Sequence, residues 1–152
     1  MRAFAHSLNV EGDRHYKKAH YHEALIAYQN SYPNDPNAYA YIMSGDSHWR
    51  SIASATPAQM ARLAASDASG CFIDNKYFVG DLRNDIEQHL QVGLALAAAR
   101  DDKAFMATTL YQRAGEIERC LSALADDYTA QPASACVDVT RIRACLGEPL
   151  LK

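Results

Sequence analysis

His15, His20 and His22 lie close together in the chain, and His20-Tyr21-His22 sets two imidazoles on either side of an aromatic ring. A metal site would need a third converging ligand and groups that orient the imidazoles. No recognised ligand spacing surrounds these histidines, so they read as residues of a solvated turn, with His15 at a helix–helix contact. Asp13 with His15, and Asp46 with His48, have the composition of carboxylate–imidazole pairs for general base catalysis. Residues two apart on one helix do not face each other, so neither pair can form within its helix. The doublets Asp101-Asp102 and Asp126-Asp127 suit helix ends better than a catalytic dyad. The four cysteines, at 71, 120, 136 and 145, match no zinc spacing and no nucleophile signature, and no GxSxG, HExxH, GxGxxG or P-loop motif occurs. The expectation is a chain with no catalytic residue, no metal and no cofactor.

The elements that carry these residues are helices. The chain has 152 residues, 49% hydrophobic and 22% charged, with a formal net charge of −3. That length suits one domain with a sizeable core. The charge supplies no basic field for nucleic acid or an anionic membrane, and no apolar run nears the roughly 20 residues that span a bilayer. Gly12-Asp13-Arg14-His15-Tyr16-Lys17-Lys18 returns 33 residues later as Gly45-Asp46-Ser47-His48-Trp49-Arg50-Ser51. A period near 33 or 34 residues belongs to helical-hairpin repeats. Gly12 and Gly45 permit close backbone approach between packed helices, as does the small Ala24, and Tyr28 fills the space beside them. Asn34-Asp35-Pro36 stops the hairpin.

Gly12, Tyr16, Tyr21, Glu23-Ala24, Tyr28, Ser31 and Pro36 fall in the order and spacing of the tetratricopeptide repeat, and the unit over about residues 5–36 resembles that family. Leu8 and Tyr41 stand where the family usually has Trp. The second unit keeps only its first helix, from about residue 38. Thr56-Pro57-Ala58-Gln59 is a fresh start, with Thr as N-cap, Pro at the first helical position and Gln completing a capping box, and it predicts a displaced helix to about Asp67. Residues 5–70 are thus hairpins and 71–80 a connector whose Phe72, Tyr77 and Phe78 lie against the core. Residues 81–147 are C-terminal helices within the same domain. Leu82, Ile86, Leu90, Leu94 and Ala97 predict one long helix, and the stripe from Met106 to Tyr128 another. After a loop over Thr129 to Ser134, Ala135, Val139, Ile142 and Leu146 predict a short helix ended by Gly147 and Pro149. The fold class is all-α, with about seven helices and no strand.

The resemblance implies a concave groove lined by the first helix of each hairpin. It would hold His6, Asn9, Asp13, Tyr16 and Lys17, then Tyr39, Ile42, Asp46, Trp49 and Arg50, with Tyr16, Lys17, Trp49 and Arg50 on one partly exposed face. Aromatics and Arg dominate interface energies, so Tyr16 and Trp49 would be anchors; the plainer alternative is that both pack between hairpins. The Lys and Asn that some family members use to clamp acidic C-terminal peptides are replaced by Asn9 and Asp13. The expected function is a non-catalytic, bacterial-type interaction module binding a peptide or partner helix, with the C-terminal helices capping the short array. The alternative is a secretion chaperone or immunity-type inhibitor that shields one cognate protein.

The helix ending near Asp127 and the final helix should run antiparallel across a short loop. Cys120 then lies level with Cys145, and a disulfide between them is possible. A shift of a few residues in a boundary would bring Cys136 there instead. Ala3-Phe4-Ala5 is a triplet of the kind that precedes signal-peptidase cleavage, though no apolar region precedes it. Triplet and bridge together point to a periplasmic or secreted protein; the alternative is cytoplasmic, with four reduced thiols.

Overall fold

Ala5, Gly12 and Tyr16 form the buried face of helix α1 (Arg2–Lys17). The computed structural model describes residues 2–66, 71, 76–128 and 135–152. The end of α1 is set by its backbone. Ala19 has a φ of 60°, the His20 amide donates to the His15 carbonyl and the Ala19 amide to that of Tyr16. This left-handed stop, usually a glycine's, turns the chain back into α2 (Tyr21–Ser31). The hairpin closes tightly because Gly12 has no side chain: a Cβ there would sit 2.5 Å from the Tyr28 ring. The Ser31 hydroxyl adds a bond to the Ala5 carbonyl at 3.0 Å. Asn37 then caps α3 (Ala38–Ala53) by accepting from the Ala40 amide at 2.9 Å.

Helix α3 is buried almost all round, as a central helix must be. One side takes α2. The other takes a continuous run of α5 (Val79–Asp85), a π-helical turn (Ile86–Leu90) and α6 (Gln91–Ala99). Each partner contributes a glycine to this crossing. A Cβ on Gly45 would meet Leu90 at 3.0 Å, and one on Gly93 would meet Ile42 at 2.8 Å and the Ala38 carbonyl at 3.0 Å. The helix begun by Thr56 forms as α4 (Pro57–Ser66), with the reciprocal capping box of Thr56 and Gln59. The place opposite Gly45, however, belongs to the α5–α6 run.

Two expectations need correction. Residues Lys76–Phe78 (β1) and Cys136–Asp138 (β2) pair as antiparallel strands, Tyr77 opposite Val137, with both of these side chains buried. A three-residue strand shows too few alternations for its period to be read. The apolar stripe from Met106 is not one helix either. Asp102 caps a single turn, α7 (Lys103–Met106), and Thr108 caps α8 (Thr109–Asp126) by accepting from the Tyr111 amide at 3.2 Å. The final helix, α9 (Val139–Leu146), ends at Gly147, whose φ is 59°. The stretch 67–70, Phe72 and the loop 129–134 lie outside the described residues.

Cys120 pairs with Cys145 as a disulfide with its Cα atoms 5.5 Å apart, joining α8 to α9. A second disulfide, Cys71–Cys136, ties the chain before β1 to β2. The larger core cluster gathers Trp49, Leu82, Leu121, Val137 and Ile142 beneath this cap; a smaller one holds Tyr16, Ala24, Tyr28 and Met43 within the hairpins. Among the described residues, no helix is long and apolar enough to cross a membrane.

Candidate functional site: a two-part groove along α1 and α3

Apart from Lys17, the residues expected to line one open face divide into three groups. Trp49 and Ile42 are core: Trp49 is 0% exposed, in edge contact with Tyr77 at 5.3 Å between ring centroids, and Ile42 lies against Gly93. The expected exposure of Trp49 is therefore corrected. In an open array the far side of α3 would face the next hairpin, but here the α5–α6 run, α8 and α9 close over it. Lys17 is exposed. Asn9 and Asp13, with His6, Val10 and Tyr39, line an open cavity of about 530 Å³ between α1 and the start of α3. Tyr16, Asp46 and Arg50 form the third group, and they are buried; for Tyr16 and Arg50 too, the expectation of an exposed face is corrected.

The repeated aspartates have the same task in both units. The Asp13 carboxylate accepts from the hydroxyls of Tyr28 and Tyr39, each at 2.6 Å, linking α1 to α2 and α3. Asp46 accepts from the Tyr16 hydroxyl and from Arg50 Nε at 2.8 Å, linking α3 back to α1. Burial, together with the neighbouring carboxylates, raises all three tyrosine pKa values well above the ordinary, so the hydroxyls stay protonated donors. Burial also pushes the Asp46 carboxyl up, and the Arg50 charge and hydrogen bond pull against it. In each aspartate one oxygen takes both donors, Oδ1 of Asp13 and Oδ2 of Asp46, while Oδ1 of Asp46 is buried without a hydrogen-bond partner.

Arg50 then reaches outward from Asp46. Its guanidinium donates to the carbonyls of Leu146, Gly147 and Glu148 at 2.8–3.0 Å. Arg113, from α8, donates to those of Leu146, Glu148 and Pro149 at 2.7–3.3 Å. The Leu150 amide donates to the Tyr16 hydroxyl at 2.9 Å, and Leu150 and Leu151 pack on the Tyr16–Tyr28–Met43 cluster. The inner half of the groove is thus filled by the chain's own segment, Gly147 to Leu151. Sequence reasoning missed this segment and Arg113. The one available signal was a pair of leucines placed beyond the Gly147 and Pro149 that stop the last helix.

His48 does find a carboxylate, on another element. Its Nε2 is 2.8 Å from Asp85 Oδ2, which also accepts from the Tyr77 hydroxyl at 2.7 Å. Burial raises the Asp85 pKa, but these hydrogen bonds outweigh it and hold the carboxyl below its usual range. His20 and His22 are exposed beside a polar cavity of about 640 Å³ at the α1–α2 turn. Among the described residues, no three His, Cys, Asp or Glu side chains converge as metal ligands would.

Fold and site together define an all-α protein with an open cavity between α1 and the start of α3 and, further along the same two helices, a cleft filled by the segment after α9. The chain matches no protein-family model, no curated protein and no solved structure.

Proposed function

We propose that this protein is a non-catalytic interaction module of the tetratricopeptide type, which holds a peptide or partner helix along α1 and α3. The observation that carries the reading is the open half of the groove. It is a cavity of about 530 Å³ lined by His6, Asn9, Val10, Asp13 and Tyr39, large enough for several side chains of a partner. Val10 is 50% exposed there, an apolar residue on a surface that burial against a partner would relieve. The commitment of Asp13 and Asp46 to tyrosine hydroxyls favours binding over catalysis. Two disulfides favour an oxidising compartment, periplasmic or secreted, since reduced thiols prevail in the cytoplasm.

The test is comparative capture from the native compartment. Wild type should retain a protein that Val10→Asp loses and that Val92→Asp, a comparable change at an exposed position of α6, still retains. If no retained protein distinguishes the two variants, the open cavity is not a binding surface.

A further inference from the structure

The closed half of the groove carries a sharper statement about the partner. Every polar contact described between Arg50 or Arg113 and the segment goes to a backbone carbonyl, and Tyr16 takes a backbone amide. Such contacts read the main chain of a short segment, whatever its side chains. The side-chain choice lies in Leu150 and Leu151, seated on the tyrosine and methionine cluster. Asp46 holds Arg50 in place through Nε, so the reading edge of the guanidinium is set from beneath, by a group that does not touch the segment. An emptied cleft would take from a nearly buried cation two of its four acceptors, the carbonyls of Gly147 and Glu148, which another main chain could replace.

The resident is shallowly held. Gly147 and Glu148 are exposed, while Pro149, Leu150 and Leu151 are only half-buried. Gly147, with its φ of 59°, is a glycine-type hinge, and Cys145, two residues earlier, is bound to Cys120. The root of the segment therefore stays fixed whether the segment lies in the cleft or out of it.

We infer that the Tyr16–Arg50–Arg113 cleft is a peptide site, and that Gly147 to Leu151 is a built-in competitor for a partner segment of the same chemistry. That segment is short and non-helical, with two adjacent aliphatic side chains after a proline, the residue that disfavours helix before it. This deepens the interaction-module reading and rests on it, but it concerns the closed half of the groove, whereas the Val10→Asp comparison concerns the open half. Either can fail alone.

The experiment uses the full chain carrying Leu150→Ser and Leu151→Ser, which loosens the resident and leaves the cleft intact. The probe is a labelled, blocked peptide of sequence GEPLLK, followed by fluorescence anisotropy. The peptide should bind this variant at least about tenfold more tightly than wild type, because a cis occupant lowers the fraction of competent sites. The same peptide with serines in place of both leucines should not bind. Absence of binding to a variant that circular dichroism shows to be folded overturns the inference, as does equal binding to variant and wild type. If the variant does not fold, wild type decides: excess GEPLLK should speed hydrogen exchange at the Leu150 amide, and an unchanged rate overturns the inference equally.

Discussion

Arg50 is the residue on which most of the polar structure converges. It neutralises the buried Asp46 and donates to the carbonyl of Leu146, the last residue of α9, and to those of Gly147 and Glu148 beyond it. Arg50→Met should cost about 3–5 kcal/mol, because it strands a buried carboxylate. The midpoint of urea unfolding measures that loss, and a shift of less than about 1 kcal/mol would show that the pair contributes little. A pH series separates two other groups. Burial holds the His89 pKa below its ordinary value, so the unfolded chain takes up that proton first. Stability should therefore decline as pH falls through about 6.5, the unfolded value. Asp85 is also depressed, so the stability it confers is present above about pH 3.9 and is lost as pH falls through its lower folded value. His89→Gln should remove the first decline and leave the second.

At the scale of elements, the hairpins depend on two backbone positions. Gly12→Ala places a methyl group against the Tyr28 ring, and should destabilise by about 1–3 kcal/mol. Ala19 occupies left-handed space that costs an L-residue about 1–2 kcal/mol, and glycine escapes part of that cost. Ala19→Gly should therefore raise the thermal midpoint, and a lowered one would contradict the turn geometry. Gly12 was legible as a packing glycine because its repeat spacing marks it. Ala19 was not, because nothing in an alanine announces a positive φ; the two bonds that force it come from the turn as a whole. The same contrast holds for Thr56 and Thr108. Both cap helices, but Thr56 precedes Pro and Gln, whereas Thr108 sits within an apolar stripe that reads as unbroken.

For the whole molecule, the disulfides and the clamp join parts distant in sequence. Cys120–Cys145 spans 25 residues and Cys71–Cys136 spans 65. In the chain-entropy model the first should contribute about 3–4 kcal/mol and the second about 4 kcal/mol. Replacing each pair with serine and measuring unfolding checks both values. Non-reducing mass spectrometry of protein from its native compartment should find no free thiol, and four free thiols would defeat the oxidising-compartment reading as well. The first bridge was foreseen by expecting a brief connection and antiparallel helices, so that levels could be counted along them; β2 lies between α8 and α9, yet Cys120 and Cys145 still meet. The second involves a strand pairing that six residues could not advertise.

The sequence by itself determined the helical class, the α1–α2 hairpin, the start of α4 and the end of α9, and it favoured Cys145 over Cys136 as the partner of Cys120. Each rests on local physics: side-chain period, capping chemistry, the refusal of proline and the reach of a short loop. Which face of α3 meets solvent was a different kind of question. Trp49 and Arg50 have the composition of a binding surface, and nothing within their own helix shows that the α5–α6 run, α8, α9 and the segment after α9 converge there. Gly45 was read for close packing, and close packing it has, against Leu90 and His89 far along the chain. Burial is a sum over neighbours, and the deciding neighbours here lie from about 30 to nearly 100 residues away in sequence. Only the tertiary structure brings them together, and so only it could turn half of an expected open groove into a cleft already filled.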